Sequence, residues 1–400
     1  MVNVAVLGYG TIGSGVVEVL QTNTEVIAQR AGEEIAVKYI LDLRDFPGDP
    51  NADKVVHDYD IIDKDEDVQV VVECMGGVEP AYTFVKRALL NGRSVATSNK
   101  ELVAKHGAEL IAIAHEKNIN FLFEASVGGG IPIIRPLVQC LTADVIEEVS
   151  GILNGTTNYM LTRMKEEGIS FEEALKEAQE KGYAELHPEA DVEGYDACRK
   201  IAILSSLAFG QQVDFEDIYT EGITSITAED IRYATAMNKS IKLLGNSWRV
   251  DGKIYAMVCP MLLDNAHPLS GVNDVFNAIF VRGNMVDETM FYGKGAGKLP
   301  TASAVADVVD CVKHTGKNIK ILWNPEKLTL SDLGDFERQY FVRMPADAEA
   351  KAITAAFGAV EMVSVEGINE KAFITGVMKE SAFNEAAEKA GHIINRIRLD

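Results

Sequence analysis

Apolar and polar positions follow two different rhythms along this chain, and the change of rhythm divides it. Over the first 130 residues, short, mostly apolar runs at 4–7, 36–41, 68–72, 94–97 and 119–124 alternate with helical spacing at 15–20, 81–91 and 107–117. Runs this short, bounded by turn residues, fit strands covered on both faces, and their alternation with helices predicts a doubly wound parallel sheet of the α/β class. From about residue 131 the texture changes. Strands are expected at 145–153 and 253–263 and helices at 158–168, 170–181 and 198–210, an α+β arrangement. From about residue 336, strands at 340–344, 361–364, 372–377 and 393–399 interleave with helices at 347–357 and 379–389. That β-α-β-β-α-β order is the ferredoxin-like plan.

Composition narrows the class. A chain of 400 residues has length for two or three domains. Its net charge of −22 argues against nucleic acid or an anionic membrane as partner, and leaves room for a small-molecule substrate. Cys74, Cys140, Cys198, Cys259 and Cys311 are scattered, with no CxxC pair. That usage suits free thiols in a reducing cytoplasm better than disulfides or a zinc site. The chain enters its first strand without a basic leader, and no apolar run approaches the ~18 residues of a membrane span, so a cytoplasmic protein is expected.

The strand at 4–7 ends in Gly8-Tyr9-Gly10-Thr11-Ile12-Gly13, and a helix opens after it. In that setting GxGxxG serves a dinucleotide. The first glycine permits the turn, the second admits a pyrophosphate to the backbone, and the third lets helix and strand pack. Asp42, ending the second strand, suits an adenosine ribose and hence NAD, whereas Arg44 suits the 2′-phosphate of NADP; both are present, and the choice stays open. Gly76 lies in a second glycine turn, Glu73-Cys74-Met75-Gly76-Gly77, at the same sheet edge.

Residues 182–200 carry the densest chemistry, with carboxylates and a lysine gathered around Gly182, Pro188 and Gly194. Asp196 and Lys200 lie four apart and share a helical face. A solvated ion pair would belong on a polar helix, but residues 201–209 continue as an apolar run. A lysine entering such a helix beside carboxylates can have the tuned proton affinity that acid–base chemistry requires.

Ala178, Gly182-Tyr183-Ala184, Pro188, Asp191, Gly194, Asp196 and Lys200 together resemble the signature of homoserine dehydrogenases, at that family's spacing. His187 departs from it, standing where the family has Asp, Asn or Ser, which touches a local turn contact and none of the charged positions. Four more segments extend the resemblance to roughly residues 1–330. Val95-Ala96-Thr97-Ser98-Asn99-Lys100 looks like a strand-end motif whose lysine reaches cofactor and substrate. Residues 123–132 resemble an interdomain hinge in which Glu124, Val127, Gly129 and Ile131 hold a monovalent cation, sodium or potassium, through carbonyl oxygens suited to a hard ion. Residues 151–160 resemble the family's substrate loop, and residues 292–303, with Gly297, a second glycine loop that closes over the cofactor.

The resemblance implies an NADP- or NAD-dependent oxidoreductase that interconverts L-homoserine and L-aspartate 4-semialdehyde, in threonine and methionine biosynthesis. It implies Lys200 as proton donor to the developing alkoxide, with Lys100 polarising the same oxygen or relaying the proton. Glu185 and Asp196 bind the substrate ammonium or orient Lys200, Asp191 supports them, and Gly155, Thr156 and Tyr183 line the site. Gly8, Tyr9, Gly10, Thr11, Ile12, Gly13, Arg44, Gly76, Lys100 and Gly297 are the implied cofactor residues. The implied domains are a Rossmann-type unit at 1–130 completed by 301–330 and a catalytic and dimerisation unit at 131–300, in a homodimer or homotetramer; separately, the strand–helix order of 336–400 resembles an ACT-like module.

Two rival readings fit less of the chain. A phosphorylating semialdehyde dehydrogenase needs a cysteine nucleophile, and the corresponding loop here, Asn154-Gly155-Thr156-Thr157-Asn158, has no thiol. A non-catalytic cofactor sensor would be free to lose Lys100, Glu185, Asp196 and Lys200, all of which are present. ACT-type modules usually carry Asp-x-Pro-Gly before their first helix, and residues 343–349 contain no glycine. The module is therefore expected to serve oligomerisation, by strand pairing between subunits, more than effector binding.

Overall fold

Val4, Ala5, Val6 and Leu7 are completely buried, as a strand with helices on both faces must be. In the computed structural model, which describes residues 1–400, Val2–Leu7 lies inside a six-stranded parallel sheet. The order is Val55–Val56, Ile35–Leu41, Val2–Leu7, Val68–Glu73, Ser94–Thr97, Phe121–Leu122. The order reverses between Val2–Leu7 and Val68–Glu73, and the crevice beyond their carboxyl ends is where such sheets receive ligands. Gly8 and Cys74 lead the chain out there.

Two boundary differences bear on the site. The helix expected from residue 107 begins at Lys100, because the Asn99 side chain caps it by accepting the Leu102 N–H at 3.1 Å. The strand expected at 119–124 shrinks to Phe121–Leu122. Beyond it the Glu124 N–H donates to the Asp307 carboxylate at 2.7 Å instead of to a strand, and the chain turns through Glu124–Ser126 toward the second sheet. Helix Ala304–Lys313, which supplies Asp307, packs back against Val68–Glu73 and Ser94–Thr97.

The second sheet is mixed. Asp287–Lys294, Phe276–Gly283, Ile146–Ile152, Lys239–Val250 and Lys253–Asp264 are neighbours in that order. Three of these five strands were not expected; in Lys239–Val250 the polar residues Lys242, Asn246 and Ser247 interrupt the apolar run. Helices Gly155–Glu167 and Tyr195–Phe209 pack on this sheet, and Lys100–Glu116 of the first unit packs on Tyr195–Phe209.

Tyr340–Pro345, Val360–Val363, Glu370–Thr375 and Asn395–Leu399 extend the same sheet. They follow Lys253–Asp264 in the order Asn395–Leu399, Tyr340–Pro345, Glu370–Thr375, Val360–Val363. Asn395–Leu399 pairs in parallel with Lys253–Asp264 at Met261 and Leu262. That edge is therefore closed within one chain. Val360–Val363 is the free outer edge.

Candidate active site

Helix Thr11–Thr22 begins at the switch crevice with no acidic residue in its first turn and no side chain capping it. Its N-terminus therefore offers N–H groups and positive potential to an anion. A Cβ on Gly10 would meet nothing within 4 Å, so this position opens onto free space. A Cβ on Gly13 would stand 1.8 Å from the Gly8 carbonyl oxygen, so this glycine serves packing between helix and strand. Such a cradle fits a pyrophosphate. Gly76 and Gly77 take left-handed backbone beside it, and Asn99 donates to the Gly77 carbonyl at 2.6 Å. Gly297 opens the turn Lys298–Thr301, and Lys298 pairs with Glu18 at 2.6 Å, which draws the second glycine loop onto the first helix.

Asp42 is fully committed. Its carboxylate accepts the Tyr9 N–H at 2.8 Å, the Arg44 N–H at 3.0 Å, and two guanidinium N–H groups of Arg44 at 2.9 and 3.0 Å. Four donors saturate its lone pairs. The Arg44 guanidinium, with the backbone donors, holds the Asp42 carboxyl far below the usual carboxylate range despite its partial burial. Arg44 remains exposed and lies over the ring of Phe46 at 5.1 Å.

The residues expected to carry the reaction gather where the two units meet. Asp196, in the first turn of Tyr195–Phe209, accepts from Lys200 at 2.6 Å on one oxygen and pairs with Lys100 at 2.9 Å through the other. Lys200 also donates to the Leu153 carbonyl at 2.8 Å, which leaves one of its three N–H groups free. Asn154 donates to Asp196 at 3.0 Å and to Asp191 at 2.6 Å. Burial pushes the Asp196 carboxyl up, but Lys200 and Lys100 overcome it and hold the group well below the carboxylate range. Burial likewise opposes the Lys100 charge, and Asp196 reverses that, leaving the ammonium above its ordinary value. Lys100 opens its helix, where the dipole disfavours a cation, so Asp196 offsets that penalty as well. Asp191 is raised by burial, with Asn154 pulling the other way.

The remaining expected residues surround this cluster unevenly. Thr156 donates to the Tyr183 carbonyl at 2.7 Å, which ties the substrate loop to the signature loop. Gly155 faces the Val275 carbonyl, 2.7 Å from where its Cβ would stand. Glu185 is exposed and its carboxylate accepts no hydrogen bond, so it stands apart from the bonded cluster. Asn154 also belongs to this cluster. Its side chain accepts the Thr157 N–H at 2.9 Å, the helix cap that Asn-Gly-Thr signals, and its amide then holds both aspartates.

At the hinge, the Glu124 carboxylate accepts from three N–H groups, those of Ile133, Ile134 and Arg135, at 2.7–2.8 Å. The oxygens expected to hold a cation there are carbonyls. Val127 and Ile131 are buried, and their carbonyls accept no hydrogen bond from backbone or side chain. The Gly129 carbonyl accepts from Ser303 at 2.6 Å and keeps a second lone pair. These oxygens fit a hard monovalent ion. Arg135 binds Asp307 at 2.7 Å and Asp310 at 2.8 Å, fastening the hinge to the returning helix.

Comparison with known proteins finds relatives of both units. A family model described as "Homoserine dehydrogenase, NAD binding domain" matches residues 8–124, and one described as "Homoserine dehydrogenase" matches residues 132–309. The homoserine dehydrogenase of Bacillus subtilis is 46% identical over 321 residues, 78% of this chain and 73% of the relative. That of Neisseria gonorrhoeae is 39% identical over 387 residues, 93% of this chain and 89% of the relative. The crystal structure of a homoserine dehydrogenase from Thiobacillus denitrificans superposes with a TM-score of 0.90 at 36% identity, over 100% of this chain and 98% of that one. A hyperthermophilic archaeal homoserine dehydrogenase mutant in complex with NADPH covers 78% of this chain and 97% of its own, with a TM-score of 0.67 at 29% identity. With both units matched in order and relatives aligned across nearly its whole length, this chain belongs to the homoserine dehydrogenase family.

Proposed function

We propose that Lys200 moves the proton in the reversible hydride transfer that interconverts L-homoserine and L-aspartate 4-semialdehyde, the NAD(P)-dependent reaction of this family. One observation carries the assignment: a buried aspartate holds lysines from both units at 2.6 and 2.9 Å, with one Lys200 N–H left free. The bound nicotinamide supplies or accepts the hydride. The residues have to hold the carbonyl carbon, stabilise the oxygen on which charge develops, and move one proton. Lys200 gives its free proton to that oxygen, and Lys100 adds a second positive charge beside it. Asp196 orients both lysines and Asn154 holds Asp196 and Asp191; the exposed Glu185, whose carboxylate accepts no hydrogen bond, takes the substrate ammonium. Thr156, Gly155 and Tyr183 shape the wall on that side.

The cofactor residues are Gly8, Tyr9, Gly10, Thr11, Ile12, Gly13, Gly76, Gly297, Lys100 and Arg44. NADP is favoured over NAD, because Asp42 has no acceptor left for a ribose hydroxyl while Arg44 stands exposed beside it. The carbonyls of Glu124, Val127, Gly129 and Ile131 take a sodium or potassium ion. Residues 1–130 with 301–330 form the cofactor domain, 131–300 the catalytic domain, and 336–400 an ACT-like module. The unpaired edge Asp287–Lys294, with exposed Met290 and Tyr292, supports a homodimer or homotetramer. No helix is long and apolar enough to cross a membrane, which accords with the cytoplasmic location we assign.

The test is turnover. NADPH oxidation on adding aspartate semialdehyde, with no requirement for phosphate, is the expected result. Phosphate-dependent reduction of NADP by the semialdehyde would overturn the assignment.

A further inference from the structure

One segment lies between the reaction cluster and the C-terminal strand, and the chemistry above does not use it. Tyr219–Thr220 runs parallel to Lys253–Asp264, pairing at Met257 and Val258. Asn395–Leu399 pairs with the same long strand farther on, at Met261 and Leu262. Glu221 stands where the two short strands meet. Its N–H donates to the Val258 carbonyl at 2.8 Å. Its carboxylate accepts from Arg398 at 2.8 Å, from Arg396 at 3.2 Å and from the Tyr219 hydroxyl at 2.8 Å. Arg398 is completely buried and also grips Glu380, at the head of Glu380–Ala390. This carboxylate is thus the knot between the C-terminal module and the catalytic sheet.

The other side of the segment bears on the active site. The Ile223 N–H donates to the Val192 carbonyl at 2.8 Å. Gly222 approaches so closely that a Cβ would stand 2.0 Å from that carbonyl oxygen and 2.5 Å from the Glu193 Cα, so only glycine fits. Gly194, with left-handed backbone, rests over Val258 and Thr220, which lie 3.1 and 3.3 Å from its Cβ position. The turn that carries Asp191 on one side and Asp196 on the other therefore sits on residues 220–223.

We propose that Glu221 is a positioning residue for the reaction: clamped by Arg396 and Arg398, it fixes the turn that aims Asp191 and Asp196 at Asn154, Lys100 and Lys200. The proposal rests on the reading of that cluster as the reaction site. The tolerance is narrow, since the donors around Asp196 lie at 2.6–3.0 Å. A displacement of about 1 Å in such a site costs on the order of 10²-fold in rate. The C-terminal module thereby contributes to catalysis from within its own chain, with no effector involved.

The experiment compares Glu221→Gln, Arg396→Gln and Arg396→Lys in the full-length chain, with Lys200→Met alongside. Glu221→Gln is expected to lower kcat for homoserine by about tenfold or more, with cofactor Kd, read by NADPH fluorescence, within about twofold of the parent. Arg396 is partly exposed, so its variants keep the test open if Glu221→Gln does not fold. Arg396→Gln is expected to lower kcat in the same sense, and Arg396→Lys, which keeps the charge, to recover most of it. A lowered melting temperature with parental kcat in Glu221→Gln and Arg396→Gln would overturn the proposal, because the clamp would then serve stability alone. Equal losses in Arg396→Gln and Arg396→Lys would overturn it too. Full activity in Lys200→Met would instead remove the reading of the cluster itself, an outcome independent of the Glu221 series.

Discussion

Gly10 and Gly13 sit three residues apart in one motif, yet the structure assigns them opposite liabilities. Gly10 has φ −79°, a backbone open to any L residue, and a Cβ there would meet no atom within 4 Å. Gly10→Ala is therefore expected to fold, at a cost of about 0.5–1 kcal/mol for alanine as a poorer helix cap. Its methyl group projects into the space before the helix N-terminus, which the proposed function assigns to the pyrophosphate. Displacing that group from its N–H donors should raise the NADPH Kd by roughly 10–100-fold, equivalent to about 1.4–2.8 kcal/mol. Gly13→Ala is the converse, since its Cβ would lie 1.8 Å from the Gly8 carbonyl oxygen, a rigid backbone atom. Helix and strand must separate, costing about 1–3 kcal/mol or more, and the melting temperature should fall clearly before any question of cofactor arises. Fluorescence titration with NADPH and thermal denaturation of both variants form the assay. Parental NADPH affinity in Gly10→Ala would refute the placement of the cofactor, and an unchanged melting temperature in Gly13→Ala would refute the packing.

Further predictions concern other parts of the molecule. Glu185→Ala should raise the homoserine KM strongly while changing cofactor Kd little, since this exposed carboxylate is assigned to the substrate ammonium; an unchanged KM removes that role. Sodium or potassium should raise the melting temperature or activity above that in a bulky organic cation at equal ionic strength, by mass action on the folded state; indifference to the cation returns residues 124–131 to a plain hinge. Lys242 is buried, donates to Asn158, Asn273 and the Val272 carbonyl, and burial drives its ammonium down to about 7. The unfolded chain holds that proton up to its ordinary 10.5, so this group makes stability rise as pH climbs from about 7 toward 10.5. Lys242→Met should flatten that rise in a melting series, and an unaltered slope contradicts the assignment.

The sequence made the site's residue types legible, but left their partnerships to the fold. Asp196 and Lys200 share a helix turn, so their pairing follows from spacing alone. Lys100 reaches the same carboxylate only because Lys100–Glu116 packs on Tyr195–Phe209, a contact between distant segments. Asn154 and Asn99 are readable as caps, yet the second task of each side chain, gripping Asp191 and Asp196 or the Gly77 carbonyl, depends on what the fold brings against it. Asp42 and Arg44 left the choice between ribose and 2′-phosphate open, because nothing in the sequence shows Tyr9 and Arg44 filling the Asp42 oxygens. The strand Lys239–Val250 was not expected for a related reason. Lys242 and Asn246 are buried polar residues, and a polar residue in an apolar run reads as a break unless its partner is known.

The most direct test of the account is the turnover of Lys200→Ala. A group that transfers a proton in the transition state contributes about 10²–10⁴-fold, so kcat for homoserine oxidation at saturating NADP should fall by that factor. Cofactor Kd should stay within about twofold of the parent, because Lys200 bonds only to Asp196 and the Leu153 carbonyl. A kcat close to that of the parent chain would contradict the account, and would reduce Lys200 and Asp196 to an ordinary ion pair on a helix.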